Sequence, residues 1–286
     1  MYAITGITGQ VGGVVARTLL AAGHDVRAVV RDTAKGEIWA KQGCEVAVAD
    51  MYDAASLARA FSGAEAVFVL IPPSFDPQPG FPEVRKIADA LSAALREAQP
   101  GRIVSLSTIG AQATEENLLS QLGMIERMLG TLPLPVTFLR PGWFMENTLW
   151  DIAPAKEQGV IQSFLQPLDR LYPMVATADV GHVAAELLTE HWDGKRVVEL
   201  VGPGEGVSPY AIAEALGRLL GRAVRAEAVP RDQWESLFLS QGMKNPIPRI
   251  RMLDGFNEGW IRFEHTPRRG STTLDQVLLG LIERAG

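Results

Sequence analysis

The sequence feature that most constrains the fold is a glycine-rich turn at residues 5–13, TGITGQVGG. The apolar residues 2–4 before it predict a short buried strand. After it, Val11, Val15 and Leu19 predict a helix with one apolar stripe. A strand, a glycine turn and a helix in this order bring backbone N–H groups and a helix N-terminus to one point. The turn therefore predicts a phosphate or pyrophosphate site, and its context favours dinucleotide binding.

Three glycines of this turn have separate predicted roles. The missing side chains at Gly6, Gly9 and Gly12 would permit the tight turn, the close approach of a phosphate, and close packing of helix against strand. A glycine triplet alone is weak evidence, because many tight turns carry one. Its position between a strand and an amphipathic helix makes the prediction specific.

The composition is that of an ordinary globular protein and excludes several classes of function. The 286 residues are 47% hydrophobic and 21% charged, which allows one large domain or a domain with a lobe. The net charge is −6 and the cations form no basic run, so nucleic-acid binding has no support. No apolar run reaches membrane-spanning length, and a strand at residue 2 leaves no room for a signal peptide. We therefore expect a cytoplasmic protein that does not bind membranes.

The residues that commonly bind metals are sparse. A single cysteine, Cys44, excludes an internal disulfide and a thiolate cluster, and it is predicted to be a small buried hydrophobe at a strand start. The four histidines lie far apart, at His24, His182, His191 and His265. No pair has the i, i+4 spacing of helical metal ligands, so no metal site is predicted.

Apolar strands alternate with helical patterns through the first half of the chain. Five further strands are predicted after the first, at 26–30, 45–49, 66–71, 102–107 and 136–139. Short turns and helices between them are typical of a doubly wound parallel sheet, the Rossmann arrangement. We predict a dinucleotide-binding domain at 1–150, completed by about 174–202, with a helix at 179–190 and a strand at 197–201.

Beyond residue 202 the pattern changes to a smaller mixed α/β segment. Residues 203–286 are predicted to form a substrate lobe, with 151–173 contributing and the last helix, 273–284, able to pack back on the domain. The region 245–259 predicts only a short helix. The predicted fold class is therefore α/β, a doubly wound parallel sheet with a smaller mixed α/β C-terminal lobe.

A proline-rich segment at 72–82, PPSFDPQPGFP, interrupts the alternation. It contains too much proline for a helix or a central strand. It also follows the fourth strand, at the carboxyl edge where open α/β sheets bind ligands. The segment is either a rigid surface loop or a wall of the substrate cleft, and its position alone does not decide between them.

Arg31 stands about twenty residues beyond the last motif glycine, where a ribose-recognising residue is expected. An arginine there favours the 2′-phosphate of NADP, whereas an acidic side chain would accept hydrogen bonds from the 2′-hydroxyl of NAD. Asp32 follows immediately and keeps NAD possible. Arg31 could also be a solvated charge at a strand end. The motif position favours NADP(H) over NAD(H).

Four segments together resemble a known family. They are residues 5–12 (TGITGQVG), 29–32 (VVRD), Asp50 after the third strand, and 139–147 (LRPGWFMEN). In these segments the chain resembles the NmrA-like family of atypical short-chain dehydrogenases/reductases, and the resemblance spans nearly the whole chain. Within that family it most resembles bacterial quinone oxidoreductases and triphenylmethane-dye reductases. The glycine motif is shared with all extended and atypical relatives, whereas the block from 140 to 147 is more specific to this branch.

The resemblance implies a set of cofactor and substrate residues. Against the pyrophosphate it implies Gly6, Thr8, Gly9, Gln10, Val11 and Gly12. Along the rest of the dinucleotide it implies Arg31 at the 2′-phosphate, Asp50 and Met51 at the adenine, Leu70, Ile71 and Pro72 beside the nicotinamide-side ribose, and Pro141 and Phe144 at the nicotinamide. Candidate acceptor contacts are Phe75, Trp143, Phe144 and Asn147. The apolar members of these sets could equally be core residues.

The chain lacks the usual catalytic pair of the superfamily. Typical short-chain dehydrogenases carry Tyr-x-x-x-Lys, in which the lysine lowers the pKa of the tyrosine that protonates a carbonyl. No Tyr-x-x-x-Lys occurs in this sequence, and the two places are taken by Leu122 and Glu126 on a helix predicted at 115–129. Ser107 and Thr108 are expected to be turn and cap residues. Glu126 is expected on a solvated helix face, and no catalytic residue is assigned.

The leading hypothesis is an NADPH-dependent reductase that passes hydride directly to a quinone-like or other conjugated acceptor. Such acceptors take hydride without an enzyme acid at the reacting carbon. The alternative is an NADP(H)-sensing regulatory protein that changes partner or shape without turnover. An isomerase or epimerase on this scaffold would lack its acid and base residues. The only partner expected is the small-molecule acceptor, and the protein is expected to be a monomer or a homodimer.

Overall fold

The structure is a computed structural model that describes residues 1–285. Its strands are β1 Tyr2–Ile4, β2 Val26–Val30, β3 Glu45–Val48, β4 Ala66–Val69, β5 Arg102–Leu106, β6 Val136–Pro141, β7 Trp143–Phe144, β8 Val160–Ser163, β9 Met174–Val175, β10 Lys195–Val201, β11 Arg225–Ala228 and β12 Arg268–Arg269. Its α-helices are α1 Gln10–Ala21, α2 Thr33–Ala40, α3 Ala54–Phe61, α4 Pro82–Ala98, α5 Ser120–Gly130, α6 Leu149–Gln158, α7 Thr177–Thr189, α8 Pro209–Leu220, α9 Trp234–Ser240, α10 Ile247–Glu258 and α11 Leu274–Ala285.

One eight-stranded sheet dominates the architecture. Its strand order is β12-β10-β6-β5-β4-β1-β2-β3, and every neighbouring pair is parallel. From β1 the chain proceeds outward to β2 and β3, and β4 then returns to the other side of β1. The strand order therefore reverses between β1 and β4, which is where open α/β sheets bind ligands. The predicted doubly wound parallel sheet is confirmed.

Helices cover both faces of this sheet. On one face α3, α4 and α5 bury side chains such as Leu57, Leu91 and Ile125. On the other face α1 and α7 pack together, and a Cβ at Gly181 would lie 2.5 Å from the Cβ of Val14. Only a glycine at position 181 permits so close a contact between the two helices.

The helices α8, α9, α10 and α11 form the C-terminal lobe with the parallel pair β8 and β11. Its core contains the fully buried Trp234 and Phe238. The Trp234 indole Nε1 donates to the Val229 carbonyl at 2.8 Å, so its burial leaves no polar atom unsatisfied. Strand β8 and most of helix α6 lie within residues 151–173, which were expected to contribute to the lobe, and the division into domains at the proposed boundaries stays a prediction.

Helix α5 begins at Ser120, five residues later than predicted. The preceding residues use their backbone groups differently. Leu119 N–H donates to the Asn117 side-chain oxygen at 2.8 Å, and Leu118 N–H donates to the Pro248 carbonyl of α10 at 2.8 Å. An Asx turn and a contact with the lobe therefore replace the first helical turn. Periodicity alone does not reveal a contact across more than a hundred residues.

Three predictions from composition can be compared directly with the structure. Cys44 is buried, as expected of a small hydrophobe. Among residues 1–285, no helix has the length and apolarity that crossing a membrane requires. The same described residues contain no cluster of three or more His, Cys, Asp or Glu side chains able to hold a metal ion.

Candidate cofactor and acceptor site

The predicted cofactor residues all follow strands of the parallel sheet and therefore lie along its carboxyl edge. The glycine turn follows β1, Arg31 follows β2, Asp50 follows β3, the segment 70–72 follows β4, and Pro141 ends β6. Because β1 and β4 are hydrogen-bonded neighbours, the turn and the segment 70–72 are adjacent. The topology thus arranges the sites in the order that an extended dinucleotide requires.

The backbone of the turn requires glycine at positions 6 and 12 and leaves little room for a side chain at position 9. Gly6 has φ +62°, and a Cβ there would lie 2.8 Å from Leu70 Cδ2. A Cβ at Gly12 would lie 2.7 Å from the Gly6 carbonyl carbon, and closer still to the carbonyl oxygen. A Cβ at Gly9 would lie 3.3 Å from that oxygen. The three glycines together form a shallow backbone cradle into which no Cβ projects.

The turn is held against β4 by Thr5, which sequence reasoning did not single out. Leu70 N–H donates to the Thr5 hydroxyl oxygen at 2.8 Å, and the hydroxyl lies 3.0 Å from the Phe68 carbonyl oxygen. The Thr5 side chain is 1% exposed, so these hydrogen bonds are shielded from water. Thr5 therefore fixes the glycine turn relative to the end of β4.

Helix N-termini near this edge differ in whether a carboxylate caps them. Asp32 caps α2 by accepting from Ala34 N–H at 2.9 Å, and Asp53 caps α3 by accepting from Ala55 N–H at 3.0 Å. Glu146 accepts from Thr177 N–H at the start of α7, at 2.9 and 3.0 Å to its two oxygens. These helix ends are already compensated by negative charge.

The N-terminus of α1 has no such cap. Its N-cap residue is Gly9, no described side chain bonds to its first N–H groups, and its first turn contains no acidic residue. The uncapped N–H groups and the positive end of the helix dipole adjoin the glycine cradle. An anion is the natural partner for these groups, so the residues present fit a pyrophosphate. This is the strongest structural support for the predicted cofactor site.

The charged residues at the adenosine end are exposed, whereas Met51 is buried. Arg31 is exposed at the end of β2, whereas the neighbouring Asp32 carboxylate is engaged in capping α2. Asp50 is exposed and its Oδ1 accepts from Tyr52 N–H at 2.9 Å, and Met51 is 8% exposed. The Arg31 side chain can therefore reach a 2′-phosphate. The carboxylate of the adjacent Asp32 is already hydrogen-bonded to the Ala34 N–H.

The candidate acceptor residues lie in different environments. Trp143 is half-buried and packs edge-to-face against Phe256 of α10, with ring centroids 5.2 Å apart. Phe144 is half-buried against the core on the α1 side of the sheet. Phe75 and Asn147 are exposed, Phe75 by 64%. Trp143 therefore contacts the lobe at Phe256. The sequence did not predict this contact, because the two residues lie on elements that are distant in sequence.

A buried charge network lies beside the ends of β5 and β6. Arg140 donates to both carboxylate oxygens of Glu126, at 2.8 and 2.6 Å, and to Glu264 at 2.5 Å. The Arg140 and Glu126 side chains are 6% and 10% exposed. The expectation that Glu126 lies on a solvated helix face is therefore wrong. Its face of α5 points toward β6, where Arg140 supplies the opposite charge.

This network removes Ser107 and Glu126 as sources of a proton. The Ser107 hydroxyl donates to Glu126 at 2.5 Å, so its only proton is already shared. A carboxylate in a two-pronged ion pair with arginine is an acceptor only. Burial lowers the pKa of Arg140, but the hydrogen bonds and ion pairs with Glu126 and Glu264 outweigh it and raise that pKa above its ordinary value. The network is a fixed ion pair rather than an acid/base pair.

Asp151, in the first turn of α6, is expected to make the stability of the protein depend on pH. Burial raises its pKa to about 7, so the folded protein binds this proton more tightly than the unfolded chain does. The stabilisation that comes from this tighter proton binding by Asp151 is complete below about pH 4 and is lost as pH rises through about 7. We expect Asp151→Asn to stabilise the protein by about 1–2 kcal/mol at pH 8.5, raising Tm by roughly 2–6 °C, and to change little at pH 4.5.

Thermal denaturation of Asp151→Asn and wild type at both pH values measures this effect. Asp193→Asn is the matched control, because residue 193 is exposed. An equal change in Tm at pH 4.5 and 8.5 would show that Asp151 does not titrate between them.

Comparisons of this sequence with a family model and with known proteins agree with one another. The model of the NmrA-like family matches residues 2–258. The chain is 28% identical over 249 residues to the NAD(P)H azoreductase of Xenophilus azovorans, covering 86% of this chain and 83% of the relative. It is 29% identical over 249 residues to quinone oxidoreductase 2 of Escherichia coli, covering 86% and 84%.

A solved structure shows the same fold. The NADPH-dependent quinone oxidoreductase of Escherichia coli, complexed with NADPH, superposes with a TM-score of 0.82 at 24% identity. The superposition covers 98% of this chain and 99% of that one. The architecture is therefore shared along the whole chain, including the C-terminal lobe.

Proposed function

Because this chain belongs to the NmrA-like family, we propose that it is an NADPH-dependent reductase that passes hydride directly to a quinone-like or other conjugated acceptor. Its curated relatives are named as reductases and oxidoreductases, and the chain is an NAD(P)H-dependent oxidoreductase. The observation that carries the proposal is the uncapped glycine cradle at the end of β1. The choice of NADPH, the direct transfer and the acceptor class are the finer parts that need testing.

The proposed cofactor position follows the carboxyl edge. The glycine cradle and the N-terminus of α1 would hold the pyrophosphate, with Thr8, Gln10 and Val11 beside it. Asp50 and Met51 would border the adenine, and the segment 70–72, Pro141 and Phe144 would border the nicotinamide half. The residues proposed at the nicotinamide end are apolar, whereas the backbone N–H groups are concentrated at the phosphate end.

Bound NADPH would supply the hydride, and the chain supplies position rather than acid catalysis. Ser107 and Glu126 hold no transferable proton, because the hydroxyl proton is shared with a carboxylate paired to Arg140. A quinone can accept hydride and take its proton from solvent, and a cationic dye needs no proton at all. Contact between the two reacting rings is then sufficient, since orientation provides much of the acceleration. A simple ketone would need the missing acid and should be a poor substrate.

NADPH preference is proposed to depend on Arg31. Removing a charge-assisted contact to the 2′-phosphate loses about 1.5–3 kcal/mol, so Arg31→Ala should weaken NADPH binding about 10- to 100-fold. NADH binding should change less than about threefold, because NADH carries no 2′-phosphate. Fluorescence titration of both nucleotides measures the change.

Lys41→Ala is the matched control for Arg31→Ala. Lys41 is an exposed cation at the opposite end of α2, so its loss changes the net charge equally without reaching the adenosine. Equal losses of NADPH and NADH affinity in Arg31→Ala would refute the specific contact.

The proposal as a whole is tested by titration and turnover on one preparation. Binding of NADPH, NADP, NADH and NAD is measured first, and NADPH oxidation is then followed with a panel of quinones, cationic dyes and enals. Oxidation with at least one conjugated acceptor supports a reductase. NADPH binding with no turnover, accompanied by a change in oligomer or shape, would instead support the NADP(H)-sensing alternative.

A further inference from the structure

The proline-rich loop 72–82 is bonded to the C-terminal lobe through one carboxylate. Asp76 accepts from Lys244 N–H at 2.8 Å through Oδ2 and from Asn245 N–H at 2.7 Å through Oδ1. Lys244 and Asn245 lie between α9 and α10. Both oxygens of Asp76 therefore engage consecutive backbone groups 168 and 169 residues away in sequence. The loop is not a free surface loop, and we call this contact the Asp76 clamp.

Further hydrogen bonds hold the loop on both sides of the clamp. The Asn245 side-chain amide donates to the Pro77 carbonyl at 2.8 Å. The Gln121 side-chain amide, from α5, donates to the Ser74 carbonyl at 3.0 Å. At the far end Phe81 is 2% exposed and adopts φ +54°, a conformation that its burial must hold in place. The backbone on each side of residue 75 is thus fixed by a contact outside the loop.

Phe75 is the residue that these contacts present to solvent. It lies between Ser74 and Asp76, and its side chain is 64% exposed. An exposed phenyl ring on a firmly held backbone offers a flat apolar face at little loss of conformational entropy. The loop follows β4, whose end is the proposed position of the nicotinamide-side ribose. The ring is therefore presented from the strand end nearest to the proposed reaction centre.

We propose that Asp76 is a positioning residue that holds Phe75 as one face of the acceptor site, so that the site favours conjugated acceptors of more than one ring over single-ring acceptors. This inference rests on the proposed function, because it concerns the acceptor of that reaction. It adds a physical reason for selectivity. The clamp joins the loop to the lobe, so the distance between Phe75 and the rest of the acceptor site is set by two backbone hydrogen bonds.

The clamp is charged at neutral pH and can be removed without unfolding the protein. The N–H groups of Lys244 and then of Asn245 hold the pKa of Asp76 below its usual range. The Lys244 position is exposed and that of Asn245 is half-buried, so water can replace the carboxylate at these N–H groups. Asp76→Ala should therefore release the loop while leaving the sheet, the glycine cradle and the lobe core in place.

Steady-state kinetics with menadione, which has two fused rings, and 1,4-benzoquinone, which has one, tests the inference. We expect Asp76→Ala and Phe75→Ala each to raise KM for menadione about 5- to 10-fold, the ratio expected for loss of one aromatic contact. KM for 1,4-benzoquinone and Kd for NADPH should change less than about twofold. The double variant should be no worse than Phe75→Ala alone, because Asp76 acts through Phe75.

Hydrogen exchange distinguishes the proposed role of Asp76, which positions the loop, from that of Phe75, which contacts the acceptor. The Lys244 and Asn245 amides should exchange faster in Asp76→Ala and remain as in wild type in Phe75→Ala. Asp275→Ala is the matched control, because Asp275 also accepts two hydrogen bonds between elements, from Arg218 at 2.9 and 2.7 Å, but within the lobe. It should leave both KM values unchanged.

The outcomes are distinguishable. Wild-type turnover of menadione with an unchanged KM in Asp76→Ala would overturn the clamp inference and leave the proposed function standing. Equal increases in KM for both quinones would overturn the selection by ring number. Wild-type protein that oxidises no NADPH with any acceptor would contradict the proposed function itself, whatever the exchange data show.

Discussion

Gly12→Ala is expected to weaken NADPH binding by about 100-fold or more. An alanine Cβ at this position would lie 2.7 Å from the Gly6 carbonyl carbon and 3.0 Å from Ile7 Cα, both of them backbone atoms. The turn must move, because backbone atoms cannot rotate away as a side chain can. Displacing two N–H groups from the pyrophosphate would remove about 1.5–3 kcal/mol each, which corresponds to at least about 100-fold in Kd.

Gly13→Ala provides the matched control one residue away. Its Cβ would lie 3.3 Å from the Arg17 guanidinium, which can rotate away, and 3.3 Å from the Ile7 carbonyl oxygen. A shift of a few tenths of an ångström relieves this contact, and alanine favours the helix by about 1 kcal/mol. NADPH titration of both variants measures the difference. Similar Kd values for Gly12→Ala and wild type would show that the cradle does not hold the pyrophosphate.

Arg140→Met is expected to lower the free energy of unfolding by about 3–5 kcal/mol, because it leaves a buried carboxylate without its cation. Tm should fall by roughly 6–15 °C. Glu126, 10% exposed, would keep only the Ser107 hydroxyl as a partner. The loss is structural, so protein that remains folded at 15 °C should still bind NADPH.

Arg218→Met is the control for the buried ion pair. Arg218 donates to Asp275 at similar distances, 2.9 and 2.7 Å, but both side chains are about half exposed, at 53% and 52%. Exposed ion pairs contribute about 0–1 kcal/mol, so Tm should change by at most roughly 3 °C. Equal destabilisation by the two variants in thermal melts would contradict the account of the network.

Much of the fold was visible in the sequence because it depends on local patterns. The strand 66–69 is apolar at every position since both faces of a parallel strand are buried. The glycines of the first turn gave a local basis for predicting a phosphate site, since the geometry of the turn itself restricts Gly6 and Gly12. Asp32 and Asp53 likewise cap helices through N–H groups only two residues away.

The remaining features depend on residues that are distant in sequence. Helical periodicity could not reveal that Glu126 faces Arg140, nor that Glu264 completes the network from 124 residues beyond Arg140. The Asp76 clamp spans a still longer interval, so the proline-rich loop could not be assigned as wall or surface from position alone. The pairing of β8 with β11 escaped prediction because the residues of a short strand do not indicate which distant strand it pairs with.

The central claim, direct hydride transfer from NADPH to the acceptor, is tested most directly with NADPH deuterated at C4 and a cationic triphenylmethane dye. Hydrogen received by the central carbon of such a dye does not exchange with water, so mass spectrometry of the reduced dye records its origin. We predict one deuterium on that carbon from one of the two C4-labelled epimers of NADPH and none from the other. Reduced dye without deuterium from either epimer would contradict direct transfer.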